Sequence, residues 1–442
     1  MSAVQQVLFS SISSKEIGWA TYWNTQDLSW DEATYMLGGL ALTTNGNVFG
    51  SYSFATTSEY SALYGCNTTT GASSFIGQSN EGTNSNPSFA QTGCLTYSSN
   101  SIAIGRYFGA SSAAADSAPA VALVSMATPS SPSITFNRYQ GANNAGTNGN
   151  QYGLASDGTY IYTSYNSSEG YFVTKYNSSG TVQWTFGNTT NNTYFQLGVN
   201  TTYNATYGYA CEVINSTTYG ISQFNLSTGA NVFKVSISPT GAAYFGDPYY
   251  TSRCCVASDG GVIVAAGKTG VTNAMLARIS STGTLTWAVE ISSTGRPMQV
   301  VSAGGYVYVL TRYTGGTSNG TIYKVNESTG ACVFALTFSA ANAVFPIGMT
   351  VDGTNNAIYT SMTTRPNADY YRTFMWRLPT SGKYVPVTVA DLSVSISNPS
   401  FSTLSSASMG SSTLVWNSQS STSTNGGNGY ASVSPTNSTT VF

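Results

Sequence analysis

An all-β fold of seven repeated four-stranded units, closed into a ring and flanked by non-repeat extensions, is what this sequence predicts. Three observations lead there. The composition favours strands and is nearly empty of charge, one hairpin pattern is written many times over, and its turns recur at a near-constant interval. Val, Ile, Thr, Tyr and Phe abound, and such residues fit a pleated, half-buried surface. Only 7% of the 442 residues are Asp, Glu, Lys or Arg, where an ordinary soluble domain has about 25%. Solvation therefore falls to Ser, Thr, Asn, Gly and Tyr. A net charge of −2 supplies neither the basic footprint of a nucleic-acid binder nor a polybasic membrane patch.

The hairpin is seen in "VTKYNSSGTVQWTF" from Val173, an alternating run, a polar turn ending in glycine, and a second alternating run. "SALYGCNTTTGASSFIG" from Ser61, "ISQFNLSTGANVFKVSI" from Ile221, "LARISSTGTLTWAVEI" from Leu276, "IYKVNESTGACVFALTF" from Ile322 and "FMWRLPTSGKYVPVTV" from Phe374 repeat it. A seventh copy, "VALVSMATPSSPSITF" from Val121, puts Pro129 and Pro132 where the others have a glycine turn. Glycine suits the positive-φ position of such turns, and small polar side chains bond the turn backbone. From Gly180 the turn glycines Gly229, Gly283, Gly330 and Gly382 follow one another about every 50 residues, a period typical of repeat architectures.

A second hairpin precedes each of these. Among its copies are "YGLASDGTYIYTSY", "CCVASDGGVIVAAG" and "GMTVDGTNNAIYTS", with Asp157-Gly158, Asp259-Gly260 and Asp352-Gly353 as turn signals. Each unit is thus two hairpins, or four strands. A lone four-stranded sheet buries neither face, whereas units packed face to face around an axis bury both. Small residues at the unit starts (Gly39, Gly153, Gly198, Gly348) suit a crowded inner strand, and Trp184, Trp287 and Phe334 on the last strand suit the wider outer gap. The expected architecture is a seven-bladed β-propeller of antiparallel blades over residues 36–390. Residues 1–35 form an N-terminal extension holding a candidate ring-closing strand. Residues 391–442 form a Ser/Thr/Asn-rich C-terminal extension, expected to be docked on a neighbour or mobile, because its tract after Trp416 cannot build a core alone.

Units such as "ASDGTYIYTSYNSSEGYFVTKYNSSGTVQWTFG" resemble the bacterial seven-bladed repeats of the type D-G-N-x-Y-V … K-x-[ND]-x-x-G-x-x-x-W. More distantly they are similar to quinoprotein-type blades. The resemblance implies the fold, which hosts enzymes, receptors and scaffolds alike. Quinone-dependent dehydrogenases of this fold carry a vicinal disulfide, which directs attention to Cys254-Cys255. Consecutive strand side chains point to opposite faces, however, and closing that ring would distort the strand. Two separate thiols are expected.

No histidine occurs, which removes the commonest general base and metal ligand together. The six cysteines form no C-x-x-C pair, and no carboxylate cluster has calcium-loop spacing. The expectation is therefore no catalytic residue, no metal site and no cofactor. Two stretches are candidate ligand-binding loops. "GDPYYTSR" contributes Asp247, Tyr249, Tyr250 and Arg253, and "RPNADYYRTF" contributes Asp369, Tyr370, Tyr371 and Arg372. Aromatic faces stack on sugar rings while Asp and Arg bond hydroxyls, so a glycan is the natural ligand class.

The start of the sequence shows no basic-then-apolar leader, and no stretch nears the roughly 20 apolar residues of a membrane span. Together with the charge-poor polar surface, these features lead to the expectation of a non-enzymatic bacteriophage virion protein. It would be a tail, fibre or capsid-decorating component present in several copies, touching other virion proteins through its extensions and host surface glycan through its loops. Nucleic-acid binding and membrane insertion are not expected. The alternatives are a bacterial surface or periplasmic binding propeller and, further off, a quinone- or carbohydrate-active enzyme.

Overall fold

The computed structural model describes residues 17–26, 39–55, 59–80, 93–109, 117–140, 150–167, 170–188, 195–199, 206–215, 218–238, 252–267, 273–292, 295–313, 319–366, 370–383, 385–404, 408–411, 417–418, 423–425, 430–432 and 437–441. They form seven antiparallel sheets, a seven-bladed β-propeller. The innermost strands are Leu40–Thr43, Gly93–Ser98, Asn150–Ser156, Phe195–Val199, Ser252–Val256, Arg296–Ala303 and Val344–Asp352. Each lies against the next, and the seventh returns to the first. Blade 3 shows the plan: Asn150–Ser156, Ile161–Ser167, Gly170–Tyr176 and Val182–Asn188 pair in that order, from the axis outward.

The apolar clusters lie between blades rather than within them. Ala41, Phe49 and Leu63 of blade 1 pack on Ile102, Ile104 and Val124 of blade 2. Val262, Val264 and Ala277 of blade 5 pack on Cys211, Ile221 and Ile237 of blade 4. Where inner strands converge, backbone meets backbone. A Cβ on Gly348 would stand 2.4 Å from the Gly39 amide nitrogen, and one on Gly39 would stand 2.5 Å from the Cys94 carbonyl. Cys254 packs in the gap between blades 4 and 5 and Cys255 in the gap between blades 5 and 6, and the two are not joined in a disulfide.

The repeated turns are held by their own side chains. Asn177 Oδ1 accepts from the amides of Ser179 and Thr181 at 3.1 and 2.8 Å, and Gly180 closes the turn at φ 77°. Asn67, Asn225 and Asn326 do the same work in blades 1, 4 and 6, and in blade 5 the Ser280 hydroxyl replaces the amide. Asp157 caps the other turn, accepting from the amides of Thr159 and Tyr160 at 2.8 and 2.7 Å. At Asp352-Gly353 the left-handed residue is Asn356, φ 48°, and Asp352 Oδ1 accepts from the Asn355 amide at 3.0 Å.

The letters K and W of the repeat have one shared target in the next blade. Lys175 Nζ and Trp184 Nε1, which are register partners, both donate to the Leu226 carbonyl of blade 4 at 2.7 and 3.2 Å. Arg278 and Trp287 repeat the arrangement on the Glu327 carbonyl of blade 6 at 3.3 and 2.9 Å. Lys324 reaches the Thr380 carbonyl of blade 7 at 2.8 Å. Burial draws the Lys175 ammonium below the ordinary lysine range, partly opposed by Asp157, and the Tyr160 ring lies 3.7 Å beneath it. Lys175→Met keeps the stem and removes the charged donor. It is expected to cost about 1.5–3 kcal/mol, the worth of a charge-assisted hydrogen bond, read by chemical denaturation.

Blade 7 departs from the sequence expectation. Its third strand, Tyr370–Pro379, leads into the Gly382 turn, but the residues that follow do not return as a fourth strand. Val387–Val389 instead joins the edge of the blade 6 sheet. The vacated place is filled by Trp19–Gln26, which pairs with Tyr370–Arg377 and sets Trp19 opposite Arg377, the register of Trp184 and Lys175. Trp19, Thr21 and Trp23 then face blade 1, donating to Thr68 O at 3.0 Å, Gly71 O at 2.5 Å and Ser73 Oγ at 3.3 Å. Alternate residues of a strand share a face, so one strand clasps the two ends of the ring.

The C-terminal extension adds one further strand to every blade, and it travels backward. Leu392–Ser397 lies on blade 6, Ser402–Thr403 on blade 5, Ser408–Ser411 on blade 4 and Asn417–Ser418 on blade 3. Ser423–Asn425 follows on blade 2, Tyr430–Ser432 on blade 1, and Asn437–Val441 on blade 7, against Trp19–Trp23. Each pairs antiparallel to the outer strand of its sheet. The described parts of this segment are therefore held by the chain's own blades, as a belt around the ring.

Candidate functional site

Because strands alternate in direction, connections between strands 1 and 2 and between strands 3 and 4 open on one face of the ring. Those between strands 2 and 3, and from strand 4 to the next blade, open on the other. The first is the turn face, made of the capped Asp and Asn turns. The described ends of both candidate loops lie on the second, the loop face. In "GDPYYTSR" these are Ser252 and Arg253, at the start of the inner strand of blade 5, and in "RPNADYYRTF" they are Arg365, Pro366 and the residues from Tyr370 on, at the ends of strands 2 and 3 of blade 7. Blade 6 stands between them.

Asp247, Tyr249, Tyr250 and Asp369 lie outside the described residues. Tyr370 is placed by its backbone, opposite Gln26. The other three candidates are built into the framework. Arg253 is buried, and its Nε donates to the Met298 carbonyl of blade 6 at 2.5 Å. Burial lowers its guanidinium to about 10, with Tyr219 and Cys254 opposing. Tyr371 is buried, with the exposed Arg365 guanidinium 5.5 Å from its ring centroid. Arg372 lies 4.9 Å over the Tyr22 ring and is ion-paired with Asp391, which also accepts from Thr364 Oγ1 at 2.6 Å. That ion pair pins the start of the belt to blade 7.

Blade 6, between the two loops, contributes residues that the sequence reading did not select. Arg296 opens its inner strand and Arg312 ends the next, and the two are register partners. Arg312 sits 4.7 Å over the Phe345 ring of blade 7. The available signal was positional: both arginines stand at the ends of the hairpin remote from its Gly304-Gly305 turn. On the described loop face of blades 5 to 7, Arg253, Arg296, Arg312, Arg365 and Arg372 stand against Glu290 and Asp391. Glu290 accepts from Asn273 Nδ2 at 2.5 Å, and burial holds its carboxyl above the usual range. Of the 15 Lys and Arg in the chain, five thus stand among the described residues of this face of blades 5 to 7. Among the described residues no group of three His, Cys, Asp or Glu is placed to hold a metal ion.

No family model matches the sequence, and no curated relative does. Solved structures of similar shape include the polysaccharide lyase Uly1, at 9% identity over 81% of this chain and 98% of that one, with a TM-score of 0.45. An oligogalacturonate lyase in complex with manganese matches at 9% identity over 82% and 98%, TM-score 0.41. A subtype N10 neuraminidase-like protein of A/little yellow-shouldered bat/Guatemala/060/2010 matches at 8% identity over 80% and 97%, TM-score 0.36. Likeness of this degree says nothing about activity.

Proposed function

We propose that this chain is a non-enzymatic structural protein of a bacteriophage particle, a tail, fibre or capsid-decorating component present in several copies. In this reading it is made in the host cytoplasm and carried on the virion. Its belted rim and both extensions face neighbouring virion proteins, and its loop face is offered to host surface polysaccharide. The observation that carries the reading is the double closure of the ring, by the strand Trp19–Gln26 and by a belt that visits all seven blades. A particle component must persist without turnover, and ending the sheets on short strands in place of long ones discourages edge-to-edge association. The near absence of charge, with no histidine in the chain, fits a scaffold that presents a surface better than one that runs proton transfer.

The test is the protein's location. Particles banded on a density gradient from a culture producing this chain are expected to contain it in a fixed ratio to the major capsid protein. Recovery in the cell envelope or the medium, apart from particles, would overturn the reading in favour of a bacterial surface or periplasmic binding propeller.

A further inference from the structure

The neighbouring pair Cys254-Cys255 is divided between two gaps, and the thiol that Cys254 meets comes from another blade. The inner strand of blade 5, Ser252–Val256, lies against the second strand of blade 4, Tyr207–Asn215. Cys211 of that second strand is fully buried in the gap between the two blades, and Cys254, half-buried, packs on the same cluster. The two thiols are hydrogen-bonded to each other. Burial, reinforced by that contact, holds the Cys211 thiol well above the ordinary cysteine range, so Cys211 keeps its proton.

The remaining cysteines are placed differently. Cys94 donates to the Phe49 carbonyl at 3.2 Å, between blades 1 and 2, and Cys66 is buried where blade 7 meets blade 1. Cys255 and Cys332 share the gap between blades 5 and 6 but line its opposite ends, one on an innermost strand and the other on a fourth strand.

We propose that Cys211 and Cys254 form a disulfide staple between blades 4 and 5 when the folded chain meets hydrogen peroxide. The sulfurs already touch, and an S–S bond of about 2.0 Å closes the remaining distance through side-chain movement on two packed strands. The deprotonated sulfur is the nucleophile, and access decides where oxidation starts, so Cys254 reacts first. Its sulfur attacks a peroxide oxygen: an S–O bond forms, the O–O bond breaks and hydroxide leaves, giving a sulfenic acid. The Cys211 sulfur then attacks the Cys254 sulfur. The S–S bond forms, the S–O bond breaks, and the sulfenic oxygen leaves as water with the Cys211 proton. Two thiols are oxidised and one peroxide is reduced to two waters. A cytosol keeps thiols reduced, so the staple is set once the chain is outside one. The proposal does not depend on the particle.

The full chain is treated with a small excess of hydrogen peroxide, quenched with catalase, unfolded with iodoacetamide present and digested for mass spectrometry. One pair of peptides is expected to be joined through Cys211 and Cys254, with the other cysteines alkylated, and reduction should separate the pair. The guanidinium midpoint of the oxidised chain is expected to rise and to return on reduction, because residues 211–254 become a covalent loop that restricts the unfolded chain. Cys254→Ser is expected to abolish the joined pair, and Cys255→Ser to form it as the parent does. Cys254 joined to Cys255, a bridge between two chains, Cys254 carried to the sulfinic acid with Cys211 alkylated, or all six cysteines alkylated overturns the proposal. A joined pair with an unchanged midpoint overturns the staple. The peptide map of the parent chain decides the pairing by itself should a variant not fold.

Discussion

Trp19→Ala is expected to lower the free energy of unfolding by about 3–5 kcal/mol, the range for truncating a large aromatic side chain in a packed core. Trp19 is fully buried, 6.2 Å from Tyr359 of its own blade by ring centroid, and its indole nitrogen bonds Thr68 of blade 1. Truncation leaves a cavity at the one junction where the ring is closed by distant parts of the sequence. It also removes a donor to the Thr68 carbonyl, leaving that group the Tyr359 hydroxyl at 3.4 Å. Trp23→Ala acts at the same seam, where the indole meets Tyr64 of blade 1 edge-on at 5.4 Å, and should cost a similar amount. Guanidinium denaturation followed by circular dichroism measures both. A loss under about 1 kcal/mol, the scale of an ordinary surface substitution, would mean that this strand does not close blade 7.

Ending the chain after Ser397 is expected to leave the ring folded but to shorten its lifetime under protease by at least about tenfold, because persistence under attack depends on how readily the fold opens. The truncation keeps Leu392 and Val394, which are buried at blades 6 and 7, and strips the added strand from the other six blades. The inter-blade clusters remain, so the far-ultraviolet spectrum should keep its β form. What is lost is mostly backbone pairing along the outer edges, with a few ring contacts such as Phe401 on Tyr323 at 5.7 Å. Outer strands bared in this way are templates for other chains, so light scattering should rise with protein concentration. A truncated protein that resists protease as long as the full chain, and stays monomeric, would show that the belt adds nothing to persistence.

The blades were legible because their information is local. Each hairpin writes its alternation, its capping Asn or Asp and its glycine within a short stretch, and the turn geometry at Asn177 and Asp157 follows directly. The lysine and tryptophan of the repeat were visible as letters. Their purpose was not, since both act on a carbonyl in the following blade. The repeat calls for the fourth strand of blade 7 directly after Gly382. Nothing near Trp19 records a partner as remote as Arg377.

The belt was hidden for a different reason. Beyond Leu392–Ser397, whose Leu392 and Val394 are buried, the added strands are stabilised chiefly by backbone hydrogen bonds and bury few side chains, so a Ser, Thr and Asn tract serves with little apolar alternation. At the candidate site, tyrosine and arginine in loop-like stretches drew attention to the right face. Which of them are framework is a matter of depth: Arg253 and Tyr371 are buried, and Arg372 is committed to Asp391. The opposed pair Arg296 and Arg312 emerges only once strand register is known.

Trp19 lies between Arg377 on one side and Val441 on the other. Every blade lies between Trp19 and Val441 in the sequence, so this seam joins segments that have the whole ring between them. Among the described pairings it closes the longest loop and carries the largest loop-closure cost.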